Sequence, residues 1–356
     1  MNVMKNVQWR DNHGHTITIK NVGSELIPVI TRLARRVVPR TYLSKILRLL
    51  NPFSKKDDLE RIANLLDTLG KTQEQILKSW LSKLDKNSEV SILTIDQEFM
   101  GAGNVEQPYD SQIKEVVQLI DRGYPIRLYL HIDCRRKNYM QLVKKYEKYI
   151  FGFKIYPLMG VFPYDPRYDE LYEYANENSM PIIYHCSRTN INYYRGRDID
   201  SILKSSHYPL EHTKNNNKNK SMNFCNILGI IEVAEKYKNV TVIVAHFCAA
   251  EEIDRYMDGD VNSWCFKLLS AIESRKIKNI KIDTSFAFYK EKYQKLLFRL
   301  MCITTFRKVF IWGSDYSMNL AVADMSSYTK QFKKVIGDVL WEQLFLNSNE
   351  LRNGNK

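Results

Sequence analysis

Residues 90–133, "VSILTIDQEFMGAGNVEQPYDSQIKEVVQLIDRGYPIRLYLHID", read as a strand, a helix and a second strand. The β-rich runs 90–99 and 126–133 are short and apolar at their starts. Between them, "SQIKEVVQLIDRG" (111–123) places Ile113, Val116, Val117 and Ile120 three and four residues apart, with Gly123 as a stop. Strands alternating with helices predict a parallel sheet.

The same rhythm runs through most of the chain. Strands are predicted at "GFKIYP" (152–157), "PIIYHCS" (181–187), "VTVIVAHF" (240–247), "IKIDTSF" (280–286) and "VFIWGSDY" (309–316). "NILGIIEVAEKYK" (226–238) and "EKYQKLLFRLMCI" (291–303) have helical spacing. With the opening run "VQWRDNHGHTI" (7–17) this makes eight strands, each followed by helix. The predicted fold is α/β, a (β/α)8 TIM-like barrel forming one domain over 1–356. An open doubly wound sheet is the alternative, but no glycine-rich phosphate loop follows the first strand.

Two segments break the rhythm. Residues 21–88 are expected to be a helical insertion after strand one. They contain "SELIPVITRLARRVV" behind a Ser24 cap, "LERIANLLDTLG" ending at Gly70, and "KTQEQILKSWLSKL" with a Thr72–Gln75 capping box. Arg32, Arg35, Arg36, Arg40, Lys45 and Arg48 lie among its apolar positions; a solvated face is the plainer reading, a membrane-surface or partner helix the sharper one. Residues 188–222, with "KNNNKNKS", are expected to form a polar loop after strand five and a candidate lid.

Composition narrows the class. At 356 residues and 44% hydrophobic, the chain can bury a sizeable core. The net charge of +13 is spread along the length, which fits an anionic substrate or solubility; a nucleic-acid partner is not expected. Six cysteines lie far apart with no CxxC pair, which fits a reducing compartment. No apolar run approaches the ~18 residues of a transmembrane helix and no secretory signal opens the chain, so a cytoplasmic protein is expected.

Chemistry in such a barrel sits at the carboxyl ends of the strands. Those ends carry His13 and His15, Asp96 and Glu98, His131 and Asp133, Lys154, His185, His246 and Asp315; strand seven offers Asp283 and Ser285. Five of the seven histidines fall at strand termini. Alternation in an extended strand puts Asp11, His13 and His15 on one face. An HxH pair alone is a weak signal, but His185, His246 and Asp315 would project into the same mouth. Imidazoles with a carboxylate suit Zn2+ or another divalent transition metal, with one position left for water. The bland alternative is a set of satisfied polar barrel residues. Cys186 and Cys248 each follow a candidate histidine and read as small buried fillers rather than thiolate ligands. Tyr156, Tyr184, Trp312 and Tyr316 are candidate walls of a pocket for a planar substrate, with packing the equal alternative. His207 and His212 lie in the polar loop and read first as surface histidines.

The ordered set "DNHGH", "GFKIYP", "PIIYHCS", "VIVAHF" and "IWGSDY" resembles the metal-dependent amidohydrolase superfamily, in the branch that includes aminocarboxymuconate-semialdehyde decarboxylase. The resemblance runs from the first strand to about residue 351 and excludes the two interruptions. It implies His13, His15, His185 and Asp315 as metal ligands. Asp315 and His246 would be catalytic, His246 polarising the substrate or helping to activate water. Lys154 occupies the strand whose lysine, in binuclear members, is carboxylated and bridges two metals. One metal per chain is favoured here and two is the alternative. The plainer reading of Lys154 is an ammonium paired with Asp96, Glu98 or a substrate carboxylate. Glu98, His131, Arg135 and Tyr156 are candidate substrate contacts.

The function expected from these readings is hydrolysis of a C–N or C–O bond in a small, anionic substrate by a metal-activated water. Non-oxidative decarboxylation of a small carboxylic acid is the first alternative, with Arg135 and Arg136 as candidate carboxylate grips. A non-catalytic basic binding module is the second. A homo-oligomer is expected.

Overall fold

A computed structural model describes residues 9–26, 67–188, 192–318 and 325–351. Eight parallel strands follow one another around the sheet in chain order: β1 Arg10–Gly14, β2 Glu89–Leu93, β3 Ile126–His131, β4 Ile150–Ile155, β5 Pro181–Tyr184, β6 Thr241–Val244, β7 Ile280–Asp283 and β8 Phe310–Ile311. Hydrogen bonds between β1 with its continuation and the segment directly after β8 bring the two edges of the sheet together: Asn12 N to Trp312 O (3.1 Å), Asp315 N to His13 O (2.8 Å) and His15 N to Tyr316 O (2.6 Å). The predicted TIM barrel is the observed fold.

Longer helices fill the layer outside. They are α1 Gln73–Leu81, α2 Tyr109–Asp121, α3 Tyr139–Tyr146, α4 Asp169–Glu177, α5 Ile227–Lys236, α6 Ala250–Met257, α7 Trp264–Ser274, α8 Glu291–Cys302, α9 Met325–Ile336 and α10 Asp338–Asn349. The α2 stripe of Ile113, Val116 and Val117 is buried, and the chain leaves the helix through Gly123 at φ +84°. The Thr72–Gln75 capping box at the start of α1 is present. Residues 27–66 of the expected helical insertion, with the basic residues Arg32 to Arg48, lie outside the described residues. No helix among the described residues is long and apolar enough to cross a membrane.

Strand alternation sorts the core into two clusters. Leu128, Ile182, Val242, Val244 and Phe310 point outward into the helix layer. Leu93, Tyr129, Ile183, Ile243, Ala245 and Ile311 form a separate inner cluster, the floor of the barrel. Tyr184 and Trp312, read as candidate pocket walls, belong to the outer layer; Trp312 packs on Tyr328, Phe332 and Trp341.

The first strand departs from the expected alternation. Asp11 pairs with Val90 while Gly14 pairs with Ile92, so β1 carries one extra residue across that interval. Val90 and Ile92 both face the helix layer, and so do their partners. Asp11 Oδ2 accepts from Trp80 Nε1 (2.9 Å) and Oδ1 from Ser314 N (2.8 Å). A Cβ on Gly14 would lie 2.3 Å from the Trp80 ring. The bulge therefore turns Asp11 away from the face shared by His13 and His15.

The polar segment after β5 is built of short pieces, with helical turns at Ile199–Leu203 and Asn217–Lys220. Its first part crosses the rim. Asn192 Oδ1 accepts from Gln97 Nε2 (3.3 Å), Tyr194 N donates to Leu158 O (2.9 Å) and Arg195 N donates to Met100 O (2.8 Å). Residues 192–195 thus lie over the loops that follow β2 and β4.

Candidate metal centre

Every strand-end residue named from the sequence except Glu98 is buried, and the centre of the mouth is occupied by imidazoles. His13 and His15 leave β1 on its inner face. His13 Nδ1 is 2.7 Å from Asp283 Oδ2, and His15 Nδ1 is 2.8 Å from Leu93 O. These acceptors place the proton on Nδ1 of both rings and leave each Nε2 lone pair exposed to a ligand. The two Nε2 atoms lie 3.7 Å and 3.5 Å from Asp315 Oδ1. Ligand atoms of His13, His15 and Asp315 all fall within 4.8 Å of one another.

His185 and His246 form the adjoining pair. His246 Nδ1 faces Ser285 O at 3.1 Å, which assigns its proton there. His246 Nε2 then accepts from His185 Nδ1 at 3.2 Å, and His185 Nε2 keeps a free lone pair. The His185 ring stacks on Tyr156 with centroids 4.0 Å apart. The His246 ring centroid is 4.9 Å from that of His13 and 4.9 Å from that of His185. His185 is therefore next to the cluster but outside the three-residue group.

Backbone strain aims these side chains. Asp315 has φ +54°, and His246, Phe247, Cys248 and Ala249 have φ +64°, +43°, +63° and +74° in succession. Such conformations cost about 1–3 kcal/mol per non-glycine residue and persist where surrounding contacts impose them. Asp283 is one of those contacts: its carboxylate accepts from His246 N (3.1 Å) and Ser285 N (2.9 Å) as well as holding His13. Strand seven thus supplies, in Asp283, the carboxylate that organises the others.

Burial sets the charges. It holds His13 and His185 well below the ordinary imidazole value, His15 at about 4 and His246 at about 3. Neutral imidazole is the form that binds a metal. Burial pushes the Asp315 carboxyl up to about 8, against the pull of Lys154. It also lowers Lys154 to about 8, against the attraction of Asp283 and Asp315. Among the described residues, His13 Nε2, His185 Nε2, Asp315 Oδ1 and Lys154 Nζ are buried without a hydrogen-bond partner. Orphaned donors and acceptors at one place are costly unless something binds there. This donor set fits a divalent transition metal.

Other named residues are engaged elsewhere. Lys154 does not pair with Asp96 or Glu98; Arg136 takes both carboxylates, at 2.7 and 2.8 Å. Arg135 grips Asp133 through Nε and Nη2 (2.9 and 2.6 Å) and donates to Met159 O, so neither arginine is an exposed loop residue. His131 Nδ1 accepts from Asp96 N at 2.8 Å, and burial lowers its pKa to about 3. Cys186 and Cys248 are buried, and burial raises both thiols, consistent with fillers. Tyr316 stacks on Trp80. His207 is exposed and stacks on Tyr164, and His212 lies half-buried beside Trp264.

No family model matches the sequence, and no curated protein does. Solved structures do. A probable 2-pyrone-4,6-dicarboxylic acid hydrolase from Acinetobacter baumannii is 12% identical, with 97% of this chain and 98% of that one covered and a TM-score of 0.56. A 5-carboxyvanillate decarboxylase from Novosphingobium aromaticivorans, complexed with manganese, is 11% identical over 96% and 97%, at 0.51. An amidohydrolase from Burkholderia multivorans with bound zinc is 9% identical over 97% and 98%, at 0.50. Identities this low speak for the fold: the chain shares its barrel with these proteins.

Proposed function

We propose that the chain is a metal-dependent hydrolase that cleaves a C–N or C–O bond in a small anionic substrate. The convergence of the ligand atoms of His13, His15 and Asp315, with His13 Nε2 and Asp315 Oδ1 buried and unpartnered, carries this reading. Those three residues would hold one divalent ion, zinc foremost, and His185 would offer its free Nε2 as a fourth donor. A zinc ion so bound supplies Lewis acidity and brings the pKa of water from ~15.7 to ~7.

The side chains do the rest. Asp315, buried beside both β1 imidazoles, takes the proton of the attacking water and returns it to the leaving group. Lys154 turns an unpartnered ammonium toward the cluster, where it meets the substrate's anionic group. His246 accepts from His185 and so fixes the ring that carries the fourth donor. Tyr156 backs that ring. The segment 188–222 acts as the lid, extending the span that already crosses the rim. Carboxylation of Lys154 with two ions per chain is the binuclear variant of this reading.

Decarboxylation is the second reading, and Lys154 favours it as well, since a cation can hold the substrate's anionic group while the scissile carboxylate departs as CO2 and its electron pair stays on the substrate, to be protonated there. Arg135 and Arg136 support it less, because acidic partners already hold both. The non-catalytic alternative leaves the converging lone pairs without a purpose. Elemental analysis of the purified chain tests the proposal. About one equivalent of zinc or another transition metal is expected, lost in His13→Ala; absence of metal and of metal uptake overturns it. Water-dependent cleavage measured beside CO2 release then separates the two reactions.

A further inference from the structure

We infer that Arg188 and Glu252 form a positioning pair that fixes the spacing of the two histidine-bearing loops after β5 and β6. Its consequence for metal affinity rests on the metal-centre reading above.

Arg188 stands three residues beyond His185, on the same loop, and its side chain is 12% exposed. Glu252 stands six residues beyond His246, in the first turn of α6, and its side chain is fully buried. The two meet through Arg188 Nε and Glu252 Oε1 at 2.5 Å. The remaining capacity of the Glu252 carboxylate is filled by Arg255 Nη1 (2.7 Å) and by Trp264 N at the start of α7. The Trp264 ring also lies under the Arg188 guanidinium, 4.6 Å away. A buried carboxylate held from three elements, by the Arg188 ion pair and by hydrogen bonds from Arg255 and Trp264 N, cannot move without breaking them.

This bolt sits where the backbone needs one. Four successive left-handed residues, His246 to Ala249, lead directly into α6. Unsupported, they would relax, and His246 would leave its 3.2 Å contact with His185. Cys265 Sγ, on α7, donates to Phe247 O at 3.2 Å and holds the middle of the same run. The run is thus pinned at its centre by α7 and at its exit by Glu252. Arg188 carries the restraint on to the β5 loop, beside the Cys186–Cys248 side-chain contact, so the pair links the two imidazoles through a path separate from their direct hydrogen bond. Arg255 shares Glu252 but not this link: it belongs to α6 and its other partner is Asp260.

The test uses the full chain and Co2+ as the probe metal. The double variant R188M/E252Q removes both charges together and leaves no lone buried carboxylate. R255M serves as the comparison, since it removes the Glu252 partner that lies on Glu252's own helix and leaves the contacts of Glu252 with Arg188 and Trp264 N in place. In the double variant the Co2+ dissociation constant is expected to rise about 10- to 100-fold, with a changed visible d–d spectrum. The imidazole 15N shifts of His185 and His246, measured without metal, are expected to move as well. R255M is expected to lower the thermal midpoint and leave affinity, spectrum and shifts in place. Unchanged shifts and unchanged affinity in R188M/E252Q overturn the inference. If the unaltered chain takes up no Co2+, the metal reading fails, and the 15N shifts alone decide the positioning role.

Discussion

Metal affinity is expected to climb with pH well past the range where ordinary histidines have finished titrating. The perturbation is pH itself, from 6 to 9. A ligand carboxyl must be ionised to bind, and the one on Asp315 is held by burial at about 8. Its ionised fraction then rises from about 1% at pH 6 to about half at pH 8, roughly a 50-fold gain in apparent affinity from this group alone. The imidazoles add little slope, because His15 at about 4 and His246 at about 3 are already neutral at pH 6. Lys154, near 8, loses a repelling charge over the same interval and steepens the curve. A site of ordinary groups, with imidazoles near 6.5 and a carboxylate near 3.9, would instead flatten above about pH 7.5. Competition against a chelating dye with Co2+ or Mn2+ reads the affinity. Calorimetry in buffers of different ionisation enthalpy counts the protons, and at least one released per ion is expected at pH 7. Asp315→Asn should lose the carboxyl's share of the slope. A flat profile from pH 6 to 9 with no proton released at pH 7 refutes the reasoning.

Asp315→Asn should also lower turnover on the order of a hundred- to ten-thousand-fold while retaining part of the metal; near-normal turnover removes Asp315 as the proton carrier. Gly14→Ala drives a methyl into the Trp80 ring and should cost about 1–3 kcal/mol in urea unfolding, and an unshifted midpoint contradicts the packing of α1 on β1. Acid should destabilise the metal-free chain. His13, His15, His131, His185 and His246 have folded values below the unfolded ~6.5, so the unfolded state binds the extra protons and stability falls as pH drops from 6.5 toward 4. Asp11, Asp96 and Asp315, raised by burial, oppose this, leaving a net excess of about two protons near pH 5 and roughly 3 kcal/mol per unit. Urea titrations at pH 5 and 6.5 check the sign; equal stabilities reject it.

The barrel was legible because strand and helix periods are local. Eight apolar runs and the stripes between them can be read within ten or fifteen residues, and polar residues at the ends of those runs point to the mouth. What stayed hidden depends on pairs distant in the chain. Alternation placed Asp11 beside the two histidines, yet register is decided by the partner strand, and the extra residue between Asp11 and Gly14 is visible only against Val90 and Ile92. Trp80 then gives the displaced carboxylate a donor from 69 residues away. The role of Asp283 is hidden for a similar reason. In "IKIDTSF" it is one acid at one strand end, and its weight comes from His13, 270 residues distant, and from the backbone of His246. Arg135 and Arg136, read as candidate substrate grips, are held by carboxylates of their own and the neighbouring strand, partners that lie far enough off in the chain for Arg136 to be invisible in the sequence.

The tautomers carry this furthest. Spacing can propose which histidines face the mouth, but which nitrogen each presents follows from its second partner: Asp283 for His13, Leu93 O for His15, Ser285 O for His246 and then His246 for His185. Each choice leaves Nε2 as the free donor on His13, His15 and His185, and removes it on His246. Four histidines that look alike in the sequence are thereby divided into three that offer a lone pair and one that supports. For His13, His246 and His185 the division holds only while Asp283 and Ser285 keep their positions, which makes the end of the seventh strand, itself without histidine, the element that decides what three of the four can do.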